Sequence, residues 1–300
     1  MSFCVYTILY TLEDKKPEEN EYVLIFLLWL AQLEKVKVAK TIVVLVDERT
    51  AKYLQDFTSF PVIYNRIECN MSMIYFQVPK THLDGMKMKY TSFNYEEDYL
   101  MYLDIDIFVM KPLIGLLGGV LEGDIYVDVE AGAEEHDYLA ALNEEERRAV
   151  LAGGVRHGLS AGKFIIRNKE KGNILFSEIH KFIMNNPGTK FHTVEQPIFN
   201  RILLCMGSHI NICTIAANIS CNMADYSDET ILVDFCGGPG DGFSHLSKMI
   251  YFIIVENIDK SIRHPVPVEN FHLLNLRPTG ISNRHLFNIK LNNLNKYYKL

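Results

Sequence analysis

Two aspartates, Asp104 and Asp106, stand two residues apart inside an apolar run, with Tyr99-Leu100-Met101-Tyr102-Leu103 before them and Ile107-Phe108-Val109-Met110 after. A continuous apolar run of this length reads as a buried strand. Like charges placed side by side there are costly unless something neutralises them. A divalent cation does so, and Mg²⁺ or Mn²⁺ favours hard oxygen ligands. A cation held in this way is suited to gripping a diphosphate.

The elements around the pair follow a βαβ rhythm. Phe3 to Tyr10 and Thr41 to Val46 read as buried strands, and Tyr22 to Leu33 as a buried helix between them, entered by a charged loop that contains Pro17. Ala51 to Asp56 starts a helix, Val62-Ile63-Tyr64 is a short strand, and Lys87 to Tyr95 is a helix leading into the Tyr99–Leu103 strand. Further on, Asp124 to Val129, Lys163 to Ile166 and Thr230 to Phe235 read as strands. Asn143 to Val150 (capped by Asn143, ended by Gly153-Gly154), Asn168 to Asn185 and a segment from Thr193 read as helices. Such alternation predicts a mainly parallel sheet flanked by helices, with ligands bound beyond the C-terminal strand ends, where Asp104 and Asp106 fall. The expectation is one α/β domain over 1–256 and a C-terminal extension over 257–300.

The 300 residues are 48% hydrophobic and 22% charged, enough for a real core. A net charge of −7 argues against nucleic acid as the main partner. Six cysteines without a C-x-x-C pair read as reduced thiols rather than a disulfide framework. The first residues lack a basic leader and read as a strand, and Tyr22 to Leu33 is too short to span a bilayer, so the expected location is cytoplasmic. The sequons at Asn70 and Asn218 carry little weight on that reading. From Lys260 onward seven Lys/Arg face one acid, Glu269. This asymmetry leaves peripheral contact with anionic lipid open beside a solvated helix packed on the body.

An Asp-x-Asp after an apolar strand also occurs in haloacid-dehalogenase-like phosphatases. Those want Thr or Val two residues past the second Asp, where Phe108 stands, and they place the motif after the first strand. From Phe3 to roughly Ser244 the chain instead resembles the retaining glycosyltransferases of family 8, the glycogenin-like group with a GT-A (Rossmann-like) fold. Tyr102-Leu103-Asp104-Ile105-Asp106 is similar to the family's metal motif, and Asp128 to its acidic residue near the donor sugar. Leu159-Ser160-Ala161-Gly162 is similar to its Asn-Ala/Ser-Gly element, Glu195-Gln196 to its Asp-Gln, and Asp234-Phe235-Cys236-Gly237 to its His-x-x-Gly. Lys87 lies near the lysine that precedes the metal strand, with Lys89 as its competitor.

The resemblance implies a UDP-sugar donor, Mn²⁺ or Mg²⁺ on Asp104, Asp106 and Asp234, and retention at the anomeric carbon. It implies Gln196 and Asp128 at the sugar, and Lys87 on phosphate. It further implies Tyr10, Thr11 and Tyr22 at the uridine end, and Ile105, Ser160, Ala161, Gly162, Glu195 and Gly237 as further donor contacts. The acceptor (sugar, protein or lipid) and a homodimer stay open. Three positions depart from the pattern, Ser160, Glu195 and Asp234, and the family's lysine and tryptophan after its His-x-x-Gly are missing, with Lys248 or His245 the nearest polar substitutes. A catalytically silent UDP-sugar binder is therefore the alternative. Thr193 and Gln196 also fit a helix-capping box, and Tyr226 lies between the Gln196 and Asp234 motifs, as a self-glycosylated tyrosine would, but closer to Asp234 than the family's spacing.

Overall fold

The computed structural model describes residues 1–56, 60, 64, 67–117, 122–135, 137–207, 209–215, 220–222, 226–236 and 245–258. Strand β1 (Phe3–Leu9) is buried along its whole length. It pairs in parallel with β2 (Thr41–Asp47) on one side and β4 (Tyr99–Leu103) on the other. Among the described residues, seven strands form a sheet of order β3-β2-β1-β4-β7-β6-β8, where β3 is Asn70–Phe76, β6 Ile125–Gly132, β7 His157–Ile166 and β8 Ile212–Thr214. The first four strands are parallel, and β7 runs antiparallel to both β4 and β6. A small second sheet pairs β5 (Ile107–Val109) with β10 (Leu232–Asp234) and β9 (Ser220–Asn222).

Both faces of the large sheet are covered, which is why its central strands read as continuous apolar runs. The two-residue strand period sends Phe3, Val5, Leu9, Met101 and Leu103 to one core, and Cys4, Tyr6, Ile8, Leu100 and Tyr102 to the other. The first core is filled by helix α1 (Glu21–Val36), buried from Val23 to Leu33, and by Leu246, Met249 and Ile250 of α7 (His245–Ile258). The second is filled by α5 (Lys169–Asn185) and α6 (Gln196–Cys205). At 16 residues α1 is apolar yet short, and no helix among the described residues is long and apolar enough to cross a membrane.

Several boundaries differ from the sequence reading for identifiable reasons. Helix α2 spans Glu48–Gln55, starting before Ala51, because the Asp47 carboxylate caps it by accepting from the Arg49 and Thr50 amides. The expected strand at Val62–Tyr64 falls largely outside the described residues, and β3 is Asn70–Phe76 instead; as an edge strand it keeps polar and exposed positions that mask its signal. Residues 87–95 form no helix beyond a 3₁₀ turn at Lys87–Tyr90, preceded by the short helix α3 (His82–Met86). The helix expected from Thr193 begins at Gln196, and Thr193 gives its hydroxyl and amide to Asp137 instead of capping. By contrast, α4 (Glu144–Ala152) has the expected Asn143 cap, closed into a box by Glu146. The proposed boundary at 257 falls in the last turn of α7, and the basic tail lies outside the described residues.

Candidate active site

A cavity of about 490 Å³ opens beyond the C-terminal ends of β1 and β4. One part is walled by Ile8, Leu9, Tyr10, Thr11, Leu12, Tyr22, His82 and Met86, and the other ends in Asp104, Ile105, Asp106, Cys236 and His245. The Tyr10 end, which Lys15, Glu19, Asn20 and Glu21 also line, holds its shape through local contacts. The Tyr10 ring lies over Gly85, where a Cβ would come within 2.6 Å of it, and its hydroxyl meets His82 Nδ1 at 3.0 Å. Thr11 is locked: its amide donates to Asp47 (2.9 Å), and its hydroxyl accepts from Asn20 (2.8 Å) and Thr50 (2.8 Å). Tyr22 is 46% exposed and sets its ring edge against that of His245.

At the polar end, β4 stops where the Asp104 amide donates to Gly162 O at 2.8 Å. Gly162 must lack a side chain here, because a Cβ would sit 2.6 Å from Asp104 Oδ2. Ser160, Ala161 and Gly162 thus lie against the aspartate motif, with Ser160 buried and bonded to the Gly162 amide. Asp104 accepts the Tyr102 hydroxyl and stands 4.0 Å from Lys89 Nζ. That lysine, not Lys87, is the one buried against the aspartate motif. Lys89 binds Glu195 at 2.5 Å and Ala161 O at 3.0 Å, whereas Lys87 makes a partly exposed pair with Asp84. Two positions of a 3₁₀ turn separate the lysines and point them to different sides.

The Asp104 side chain keeps 31% of its surface accessible, and the protein around it is dense. Withdrawal from water pushes its carboxyl up to about 7, with Lys89 opposing and Asp106 adding to the rise. Burial alone would lower Lys89, but Glu195 and Asp104 outweigh it and hold the ammonium above its usual value.

The three aspartates expected to share an ion do not converge at ligating distance. Lys163, buried on β7, binds Asp234 at 2.7 Å and Asp128 at 2.9 Å. The other Asp234 oxygen accepts the Cys236 amide at 2.8 Å. Burial still holds the Asp234 carboxyl above the usual range, against the pull of Lys163. Asp128 also accepts the Ser220 hydroxyl at 2.6 Å, leaving Oδ1 buried without a hydrogen-bond partner among the described residues. The group that does gather is Asp106, Cys236 and His245, whose ligand-type atoms all lie within 4.8 Å of one another. His245 Nδ1 approaches Asp106 Oδ2 to 2.7 Å. Hydrogen bonding to the Asp106 carboxylate, with its charge, raises the imidazole above its usual value against the opposing effect of burial.

Glu195 is buried in its pair with Lys89, and Gln196 Nε2 donates to Glu130 at 3.2 Å. Gly237 lies outside the described residues, and Tyr226 packs edge-on against Phe252. Sequence reasoning missed Lys163, which sits in an apolar strand like a surface residue of an alternating pattern. It named His245 only as a substitute, because ten residues of glycine-rich sequence separate it from Asp234.

No protein-family model and no curated protein sequence matches the chain. Solved structures do. The apo structure of the WbbM bifunctional glycosyltransferase matches at 10% identity with a TM-score of 0.52, over 84% of this chain and 49% of that one. The chain therefore spans about half of WbbM. The galactosyltransferase LgtC, in complex with donor and acceptor sugar analogs, matches at 12% identity with a TM-score of 0.50, over 94% of this chain and 99% of that one. The fold is that of GT-A-type glycosyltransferases.

Proposed function

We propose that the chain is a glycosyltransferase moving a hexose from a UDP-sugar to an acceptor, with a divalent cation at Asp106 and His245 beside Asp104. The observation that carries this reading is the cavity itself. It pairs an end walled by Tyr10, Thr11 and Tyr22 with an end of carboxylate and imidazole groups, at the strand ends of a GT-A fold. Its donor set fits a cation: a buried carboxylate, an imidazole and a thiol hold their ligand-type atoms within 4.8 Å of one another. A cation bound there would offset the charge that builds on a departing diphosphate.

The chain's own residues supply the rest. Tyr10 and Tyr22 flank the base, and Thr11 shapes the floor below it. Tyr102 and Lys89 hold Asp104 in place, and the bare Gly162 lets it approach the strand. The carboxylates nearest a sugar, Asp128 and Glu195, are bound to Lys163 and Lys89, which makes them poor nucleophiles. This supports front-face transfer with retention. The anomeric carbon's bond to the phosphate oxygen breaks, its bond to the acceptor oxygen forms, and the acceptor's proton passes to the leaving phosphate. Gln196 then lies near the sugar.

The same pairing favours a second reading, a silent UDP-sugar binder, because the polar groups expected at the sugar satisfy one another. Incubation with Mn²⁺ and each common UDP-sugar, followed by assay of UDP release, separates the two. The transferase reading expects turnover that Asp106→Asn removes. UDP binding without any release supports the binder, and neither binding nor release sinks both.

A further inference from the structure

Asp234 stands where the resemblance placed the third ion ligand, yet both of its oxygens are committed, one to Lys163 and one to the Cys236 amide. The second contact makes a tight turn at the end of β10. Antiparallel pairing sets Asp234 opposite Ile107, and the Phe235 amide donates to the Asp106 carbonyl at 3.1 Å. Between them, these bonds fix Cys236 beside Asp106 and bring its sulfur within 4.8 Å of the carboxylate and the His245 ring. Cys236 is an exposed residue among the described ones and lines the cavity.

We infer that Cys236 is the third protein ligand of the cation site, and that the site therefore selects a thiophilic divalent ion. Its donors are one oxygen, one nitrogen and one sulfur. Oxygen-only cages suit Mg²⁺ and Mn²⁺, whereas a thiolate and an imidazole together select Zn²⁺ or Co²⁺. When the sulfur–metal bond forms, the thiol's proton passes to solvent, so loading acidifies an unbuffered sample. Asp234 and Lys163 act as positioning residues: the lysine neutralises Asp234, and Asp234 aims the turn that carries the cysteine. The inference rests on the proposed ion site at Asp106 and narrows the ion it takes.

The test uses Co²⁺ added to the whole chain without nucleotide. A sulfur-to-cobalt charge-transfer band in the near ultraviolet is expected, abolished by Zn²⁺ and absent in Cys236→Ser. Cys205→Ser, at an exposed cysteine on another element, keeps it. Zn²⁺ affinity should fall in Cys236→Ser by at least the roughly 10–100-fold that loss of a mere outer-shell partner costs. In the unaltered chain Zn²⁺ should also shield Cys236 from iodoacetamide, read by peptide mass. A wild-type chain with no such band, a band that survives in Cys236→Ser, or alkylation unaffected by Zn²⁺ overturns the inference. Those results leave Mn²⁺-dependent UDP release untouched, and absence of UDP release leaves the band untouched, so the two readings fail separately.

Discussion

Asp128 with Asp234, brought together from β6 of the large sheet and β10 of the small one, and Asp104 with Asp106, just past the end of β4, are two carboxylate pairs that are neutralised differently. The first pair shares one buried lysine, Lys163, at 2.9 and 2.7 Å. The second has no lysine to itself. Lys89 gives its short contact to Glu195 at 2.5 Å and reaches Asp104 only at 4.0 Å, while Asp106 faces an imidazole. One pair is a closed ion network and the other is left short of positive charge. The deficit opens on the cavity, which is where an added cation gains most.

The strongest way to break this contrast is to remove the internal cation. Lys163→Met leaves two buried carboxylates without their partner and should cost about 3–5 kcal/mol of stability in denaturant unfolding. Adding Asp234→Asn should restore part of it. A wild-type midpoint in the single variant would mean that Lys163 is not the counter-charge.

Asp106→Asn attacks the open pair. It should lower UDP-sugar turnover by about 10²–10³-fold, the scale seen when a group stabilising transition-state charge is lost. The midpoint of unfolding should move less than in Lys163→Met, because the partner lost is the partly exposed His245 rather than a buried lysine.

Proton binding sharpens the comparison more gently. In the ion-free chain Asp104 titrates near 7 instead of 3.8. Below its unfolded value the carboxyl is protonated in both states. Between the two values only the folded chain holds the proton, so this group's contribution to stability is lost as pH rises towards about 7 and is flat above. The stability of wild type minus that of Asp104→Asn should therefore fall between pH 5 and pH 8. A rising difference would contradict the burial of this carboxyl.

Lys87→Ala should do least. Its pair with Asp84 is partly exposed and only one turn apart, so less than about 1 kcal/mol and less than a few-fold in activity are expected. Lys89→Met, by contrast, should disrupt the site.

What could be read in advance follows from local physics. The apolar run of β4 forces its flanking aspartates to a strand end, and the Ser160-Ala161-Gly162 step faces them because a side chain at 162 would collide with Asp104. The helix cap at Asn143 was equally legible, since it satisfies amides within three residues. Long-range choices were not. Whether Asp234 binds an ion or a lysine depends on Lys163, which is 71 residues away in the chain. His245 meets Asp106 only because α7 starts beside it, and nothing local marks that start. Lys87 and Lys89 could not be separated until the backbone proved to be a 3₁₀ turn.

The location of the cation is the claim on which the rest depends. Crystals soaked with UDP and Mn²⁺, with data collected for manganese anomalous scattering, would locate it directly. The account predicts a peak in contact with the Asp106 carboxylate and the His245 ring, with Lys163 still bridging Asp128 and Asp234. A peak on Asp234 with Lys163 displaced, or bound UDP with no ion at Asp106, would contradict it.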